Sequence, residues 1–294
     1  MSAAPRLDPL EVRRTLRREG LRASHARSQN FLADPEVLQS ILDLAEVSEG
    51  TRVLEIGPGL GILTGGLLAG GARVTAIELD RGLARYLREQ LGEAISAGNL
   101  DLIEGDALDQ PLPDLLPPPF RVIANIPYHI TSPILHRFLE RAPRPERLVL
   151  MVQGEVADRI ASKPGDMSYL SVFVQYHAEV RVALRVPPQA FEPAPKVASA
   201  VVVIVPRANA ALPAAEEERL WGLVQSGFRE RRKMLRNVLA RQLHAGADGA
   251  SGPFVGQARV DAALAAAGIA GDRRPQTLSI DDWIRLLAAL GAAA

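Results

Sequence analysis

The sequence predicts a Rossmann-like α/β sheet of about seven strands, followed by a small all-helical C-terminal domain. Three observations lead there. The apolar run Arg52–Ile56 passes directly into Gly57-Pro58-Gly59-Leu60-Gly61 and then into a helical pattern over 62–68. A strand, a glycine-rich turn and a helix make the opening unit of a nucleotide-binding fold. Further short apolar runs each end on a polar group: 72–77 before Glu78, Leu100–Glu104 before Gly105-Asp106-Ala107, and 121–124 before Asn125. After residue 206 this alternation stops, and helical spacing rich in Ala and Leu takes over.

Taken in order, residues 1–25 read as a basic extension, with a helix over Pro9–Arg18 and a linker behind it. The main domain covers 26–205. Residues 29–32 are expected to fold over a ligand. Asp34-Pro35-Glu36 starts a helix, with acids in its first turn and proline at its first position. The stretch 112–120 is proline-rich and reads as a surface connection. Strands resume at 147–152, 172–184 and 200–205. Before the last of these lies Phe191-Glu192-Pro193-Ala194-Pro195-Lys196, whose two prolines hold an extended loop. The third domain, 206–294, opens on a linker (206–215). Helical patterns follow near 216–226 and 230–243, then a Gly-rich loop at 245–256 and helices at about 257–267 and 280–290. Ser279 and Asp282 form a capping box with Asp in place of Glu.

Composition excludes several function classes. Hydrophobic content of 47% and charged content of 23% in 294 residues describe a globular chain long enough for two domains. No apolar run reaches membrane-spanning length and the N-terminus lacks a signal-peptide core, so a cytoplasmic protein is expected. The chain has no cysteine, which rules out a covalent cysteine adduct and any cysteine-ligated metal or cluster. Histidines 25, 129, 136, 177 and 244 are scattered, so no metal is expected; a monomer is. Net charge is zero, but its distribution is uneven. Residues 1–30 hold seven arginines against three acids, and 229–241 hold six basic residues against Glu230 alone. Only Lys163, Lys196 and Lys233 are lysines. Arginine grips phosphates bidentately and stacks on bases, so Arg229, Arg231, Arg232, Lys233 and Arg236 are read as RNA contacts.

The strand ends carry the chemistry. Glu78 lies 21 residues after Gly57, the offset at which a carboxylate meets the ribose hydroxyls of a bound nucleotide. NAD is the first candidate, but its fingerprint needs a third glycine where this chain has Ile62. S-adenosylmethionine fits better. Glu55 and the Gly57–Gly61 loop would lie near its methionine end, Glu78 on its ribose and Asp106 by its adenine amine.

Asn125-Ile126-Pro127-Tyr128 suits methylation of a nucleobase amine. That amine is a poor nucleophile, because its lone pair is delocalised into the ring. Two acceptors, the Asn125 side-chain oxygen and the Ile126 carbonyl, would make the nitrogen more tetrahedral and aim its lone pair. Pro127 stiffens the peptide carrying that carbonyl. Tyr128 offers a stacking face for an extruded base, and Phe191 is expected to stack on the opposite side. Lys196 is read as a phosphate contact. No general base is required, since the alkylated nitrogen becomes acidic and loses its proton to water.

These motifs together resemble those of the ribosomal RNA adenine N6,N6-dimethyltransferases. The resemblance is carried by Ser28-Gln29-Asn30-Phe31-Leu32, Glu55-Ile56-Gly57-Pro58-Gly59-Leu60-Gly61, Glu78-Leu79-Asp80, Gly105-Asp106-Ala107 and Asn125-Ile126-Pro127-Tyr128. It continues through the segment from Phe191 to Ser199 and that from Phe228 to Asn237, in family order from about residue 24 onward. The resemblance implies an S-adenosylmethionine-dependent methyltransferase sheet. It implies Asn30, Leu32, Gly57, Glu78, Asp106 and Asn125 as cofactor contacts, with Gly59 in the same loop. It also implies two adjacent adenosines in the 3′-terminal hairpin loop of 16S rRNA as substrate, within the immature small subunit. Ser28 departs from the family's usual glycine, and His129 occupies a variable position. Three rivals remain: a large-subunit adenine methyltransferase of the macrolide-resistance type, a DNA adenine methyltransferase, and a ribosome-assembly RNA-binding factor.

Overall fold

The computed structural model describes residues 8–21, 23, 29–111, 116–208, 211–243 and 256–292. His25, Ser28, His244 and nearly all of the expected 245–256 loop lie outside them. The chain forms two compact units, one from 1–158 with 178–206 and one from 159–177 with 207–294.

The first unit contains β1 (Phe31–Leu32), β2 (Arg52–Ile56), β3 (Arg73–Glu78), β4 (Leu100–Glu104), β5 (Arg121–Asn125), β6 (Arg147–Gln153), β7 (Ala178–Val186), β8 (Phe191–Glu192) and β9 (Ser199–Pro206). Seven of these form one sheet in the order β4-β3-β2-β5-β6-β9-β7. Strands β2 to β6 run parallel, while β9 is antiparallel to both β6 and β7. The order reverses between β2 and β5, so the chain leaves adjacent strand ends in opposite directions and a crevice opens there. Val53, Leu54, Val74, Ala76, Val122 and Ile123 are all buried, as expected for strands covered on both faces. The small β1–β8 sheet pairs Phe31 with Glu192 and Leu32 with Phe191.

Helices α1 (Pro9–Arg18), α2 (Pro35–Ala45), α3 (Ile62–Ala69), α4 (Arg81–Gln90), α5 (Gly92–Ser96), α6 (Thr131–Glu140) and α7 (Gly154–Ile160) accompany the strands. Asp34 caps α2 by accepting from the amides of Glu36 and Val37, with Pro35 at the first position. Helix α1 is more than a basic extension. Val12 and Leu16 are buried on one stripe against Phe31, Leu60, Leu83 and Tyr86. Arg13 adds a two-pronged ion pair to Glu192, at 3.0 and 2.8 Å.

The second unit contains α8 (Tyr169–His177), α9 (Ala214–Phe228), α10 (Leu235–Gln242), α11 (Gln257–Ala266) and α12 (Ile280–Ala292). The segment read from sequence as a strand over 172–184 is divided: α8 occupies its first part and β7 begins only at Ala178. Val172, Phe173 and Val174 favour a strand locally. However, Ser168 and Ser171 hydrogen-bond each other's amides at the helix start, and burial of Val172 and Tyr176 in the helical core decides the outcome. The expected helix over 230–243 likewise starts late, because the Lys233 amide donates to Glu230 and closes a turn first. The capping box is formed: the Ser279 amide donates to Asp282 and the Asp282 amide to the Ser279 hydroxyl. At Gly227 a β-carbon would lie 2.5 Å from the Trp283 ring, so only glycine allows α9 to approach α12 this closely.

Candidate active site

The crevice at the ends of β2, β3 and β5 is lined by Asn30, Leu32, Gly57, Gly59, Glu78 and the whole Asn125–Tyr128 tetrapeptide. About 770 Å³ of empty space, open solvent included, lies in and before it. Its two halves are built differently.

On the β2–β3 side, Glu78 is buried and its carboxylate holds the glycine loop, accepting from the amides of Gly59 (3.0 Å) and Asp80 (2.9 Å). Burial raises its pKa, and those two amides oppose the rise. Gly59 has a φ of 61° and a β-carbon there would lie 3.0 Å from the Phe31 ring, so the loop and the 29–32 segment close on each other only with glycine. Glu55 lies beneath this loop, 1% exposed, with one carboxylate oxygen lacking any hydrogen-bond partner. Burial, reinforced by nearby Glu78, pushes it up to about 8. A buried, unpaired carboxylate in the wall of a crevice favours a ligand that brings a cationic group.

On the β5 side, the Asn125 amide nitrogen donates to the main-chain carbonyl of Asn30 (3.1 Å). That bond fixes which end of the amide is which and leaves the oxygen as the outward acceptor. The Ile126 amide donates to Met151 (3.1 Å), which ties the loop to β6. Among the described residues, neither the Asn125 side-chain oxygen nor the Ile126 carbonyl accepts a hydrogen bond. Both residues line the crevice, and each keeps one acceptor oxygen that no described donor uses. Pro127 has a φ of −53°, and its carbonyl accepts from Ile130 in the short 3-10 turn Tyr128–Ile130. The Tyr128 hydroxyl is hydrogen-bonded to the Ser199 hydroxyl at 2.8 Å. Burial raises the Tyr128 pKa, so the phenol is neutral at physiological pH.

A family model settles the class. The model for ribosomal RNA adenine dimethylase matches residues 21–266. The chain belongs to that family. It is a methyltransferase of ribosomal RNA. The chain is 42% identical to ribosomal RNA small subunit methyltransferase A of Anaeromyxobacter sp. (strain K), with 95% of this chain and 97% of the relative covered. The same-named protein of Geobacter metallireducens is 40% identical, over 94% of this chain and 98% of its own. Among solved structures, the 23S rRNA methyltransferase ErmE matches with a TM-score of 0.70 and 32% identity, covering 89% of this chain and 100% of that one. A dimethyladenosine transferase from Plasmodium falciparum matches at 0.74 and 26%, covering 90% and 98%.

The other residues that family membership draws in are placed less simply. Asp106 follows β4 and lies outside the crevice lining; one of its oxygens accepts from the Leu108 amide (2.8 Å). Its loop is held by Arg137 of α6, which donates to the carbonyls of Leu108 and Gln110, a clamp no sequence signal marks. Phe191 requires a correction. Its ring is 2% exposed and belongs to the sheet core, because pairing of β8 with β1 turns it inward beside Leu32. Packed there, it presents no open stacking face in this structure. Lys196 and His129 are exposed. In the second unit, Arg229 bonds Gln242 (2.7 Å) and Glu230 pairs with Arg241 (2.9 Å). Arg231, Arg232, Lys233 and Arg236 are exposed and have no ion pair among the described residues. No described helix is long and apolar enough to cross a membrane, and no described cluster of His, Asp and Glu could hold a metal.

Proposed function

We propose that this chain uses S-adenosylmethionine to dimethylate the N6 amines of two adjacent adenosines in the 3′-terminal hairpin loop of 16S rRNA, in the cytoplasm, on the immature small subunit. The observation that carries the reading is the pair of unused acceptors, the Asn125 side-chain oxygen and the Ile126 carbonyl, on two residues that line the same crevice as the glycine loop and Glu78.

The residues fit the cofactor. Asn30, Leu32, Gly57, Gly59, Glu78 and Asn125, all in the crevice lining, would hold it. Glu55, with one unpartnered carboxylate oxygen, would meet its ammonium group, and Asp106, outside the lining on the loop after β4, would reach in to its adenine amine. Bound there, it supplies an activated methyl group. The chain's own task is to present the amine. Two acceptors draw on its N–H groups and localise the lone pair, and because they are fixed beforehand they need no rearrangement during transfer. Pro127 keeps the Ile126 carbonyl in place, and Tyr128 stacks on the extruded base. Glu55 and Glu78 are committed to the donor side, so the amine proton leaves to water. Lys196, Arg229, Arg231, Arg232, Lys233 and Arg236 would hold RNA phosphates.

The 32% identity to a 23S rRNA methyltransferase favours one rival, a large-subunit substrate. The test is to offer labelled S-adenosylmethionine with undermethylated small subunits, large subunits and duplex DNA, and to map the modified bases. Label in the two adjacent small-subunit adenosines supports the reading. Label confined to large-subunit RNA overturns it.

A further inference from the structure

Ser199 opens β9 with its side chain fully buried, and it is the only polar residue in the buried run 199–204. Its hydroxyl has one partner among the described residues, the Tyr128 hydroxyl at 2.8 Å, 71 positions away in sequence. The backbone of Ser199 is held on both sides, paired with Gln153 of β6 and Val186 of β7. Tyr128 has no such support, since it stands in a three-residue turn between a strand and a helix. An aromatic ring on such a turn has a broad second side-chain torsion, so its plane is poorly defined unless the far end is anchored. A hydroxyl buried in an apolar strand is also unfavourable unless it is hydrogen-bonded.

We infer that Ser199 is a positioning residue for methyl transfer: its hydrogen bond passes the rigidity of the sheet to the Tyr128 ring and sets the plane on which the target adenine stacks. The inference rests on the target-facing role proposed for Tyr128 and deepens it. The anchor lies at the end of the segment that begins at Phe191. One stretch therefore packs Phe191 into the sheet core at its start and anchors the Tyr128 ring at its end. Ser199 is not itself among the residues that line the crevice and reaches it only through Tyr128, so its removal should act through that ring.

The experiment is a double-mutant cycle on undermethylated small subunits, with Ser199→Ala, Tyr128→Phe, the double variant, and Tyr128→Ala for reference. Each single hydroxyl deletion is expected to lower kcat about 3- to 10-fold. The double variant should fall no further than either single one. Cofactor affinity should stay at the wild-type level while kcat falls, a split that a merely structural role would not give. Losses that multiply in the double variant would overturn the inference. So would a Ser199→Ala enzyme as fast as wild type beside an inactive Tyr128→Ala. Full turnover by Tyr128→Ala would instead remove the target-facing role of Tyr128, and this inference with it.

Discussion

The Asn125–Tyr128 loop and the basic turn at 229–236 are both read as meeting RNA, yet they are built in opposite ways. In the loop almost every group is fixed. The Asn125 amide nitrogen is bonded to Asn30, the Ile126 amide to Met151 and the Tyr128 hydroxyl to Ser199. The Asn125 side-chain oxygen and the Ile126 carbonyl are left without a partner among the described residues. In the turn the charged ends are exposed, and Arg231, Arg232, Lys233 and Arg236 lack ion pairs among the described residues. The difference follows from the task. Polarising an amine demands acceptors at set positions, whereas binding a phosphate backbone needs cations that adjust and release counterions.

That contrast can be broken most sharply at Asn125. Asn125→Ala should lower kcat by about 10³-fold, the scale seen on losing a preorganised polar group in an active site. Structured RNA should still bind; kinetics with a filter-binding assay check both. Next in size, Arg231→Ala/Arg232→Ala/Lys233→Ala should weaken RNA binding by about 10- to 100-fold and flatten its salt dependence by about two to three phosphate contacts. A salt titration of affinity reads this out, and an unchanged slope would remove the phosphate role.

How much of this was legible in the sequence depended on spacing. The crevice edge formed by Gly57, Gly59 and Glu78 could be read because these residues are set by backbone geometry at short range. Helix caps at Asp34 and at Ser279 with Asp282 were legible for the same reason. Contacts between distant segments were not. Nothing local marks the docking of α1 through Val12, Leu16 and Arg13, or the Arg137 clamp on the Asp106 loop. Phe191 was read as a stacking face because its loop is proline-rich, but pairing with β1 decides its direction. The β-branched run at 172–174 was overridden by burial in the helical core.

Smaller effects sharpen the donor half. Glu78→Ala should raise the S-adenosylmethionine Kd about 10- to 100-fold, because the carboxylate holds the Gly59 loop and is the proposed partner of the nucleoside; calorimetry measures it. Glu55 makes the most specific prediction. Its folded pKa is raised from 4.5 to about 8, so the folded state keeps a proton that the unfolded chain releases. The contribution of Glu55 to the stability of the cofactor-free protein should therefore be fully present below pH 4.5 and be lost as pH rises through about 8, by roughly 5 kcal/mol. Glu55→Gln, neutral throughout, should lose that slope in thermal melts taken across the range. Equal slopes in the two proteins would show that Glu55 is ionised or solvated.

The central claim is that turnover resides in the fixed loop and RNA affinity in the adjustable turn. Single-turnover methylation of undermethylated small subunits, at saturating enzyme and cofactor, tests it most directly when Asn125→Ala and the Arg231/Arg232/Lys233 triple alanine variant are run side by side. The account predicts near-complete loss of the rate for the first and a near-wild-type rate for the second once substrate is saturated. A triple variant still slow at saturation, or an Asn125→Ala enzyme restored by more RNA, would contradict it.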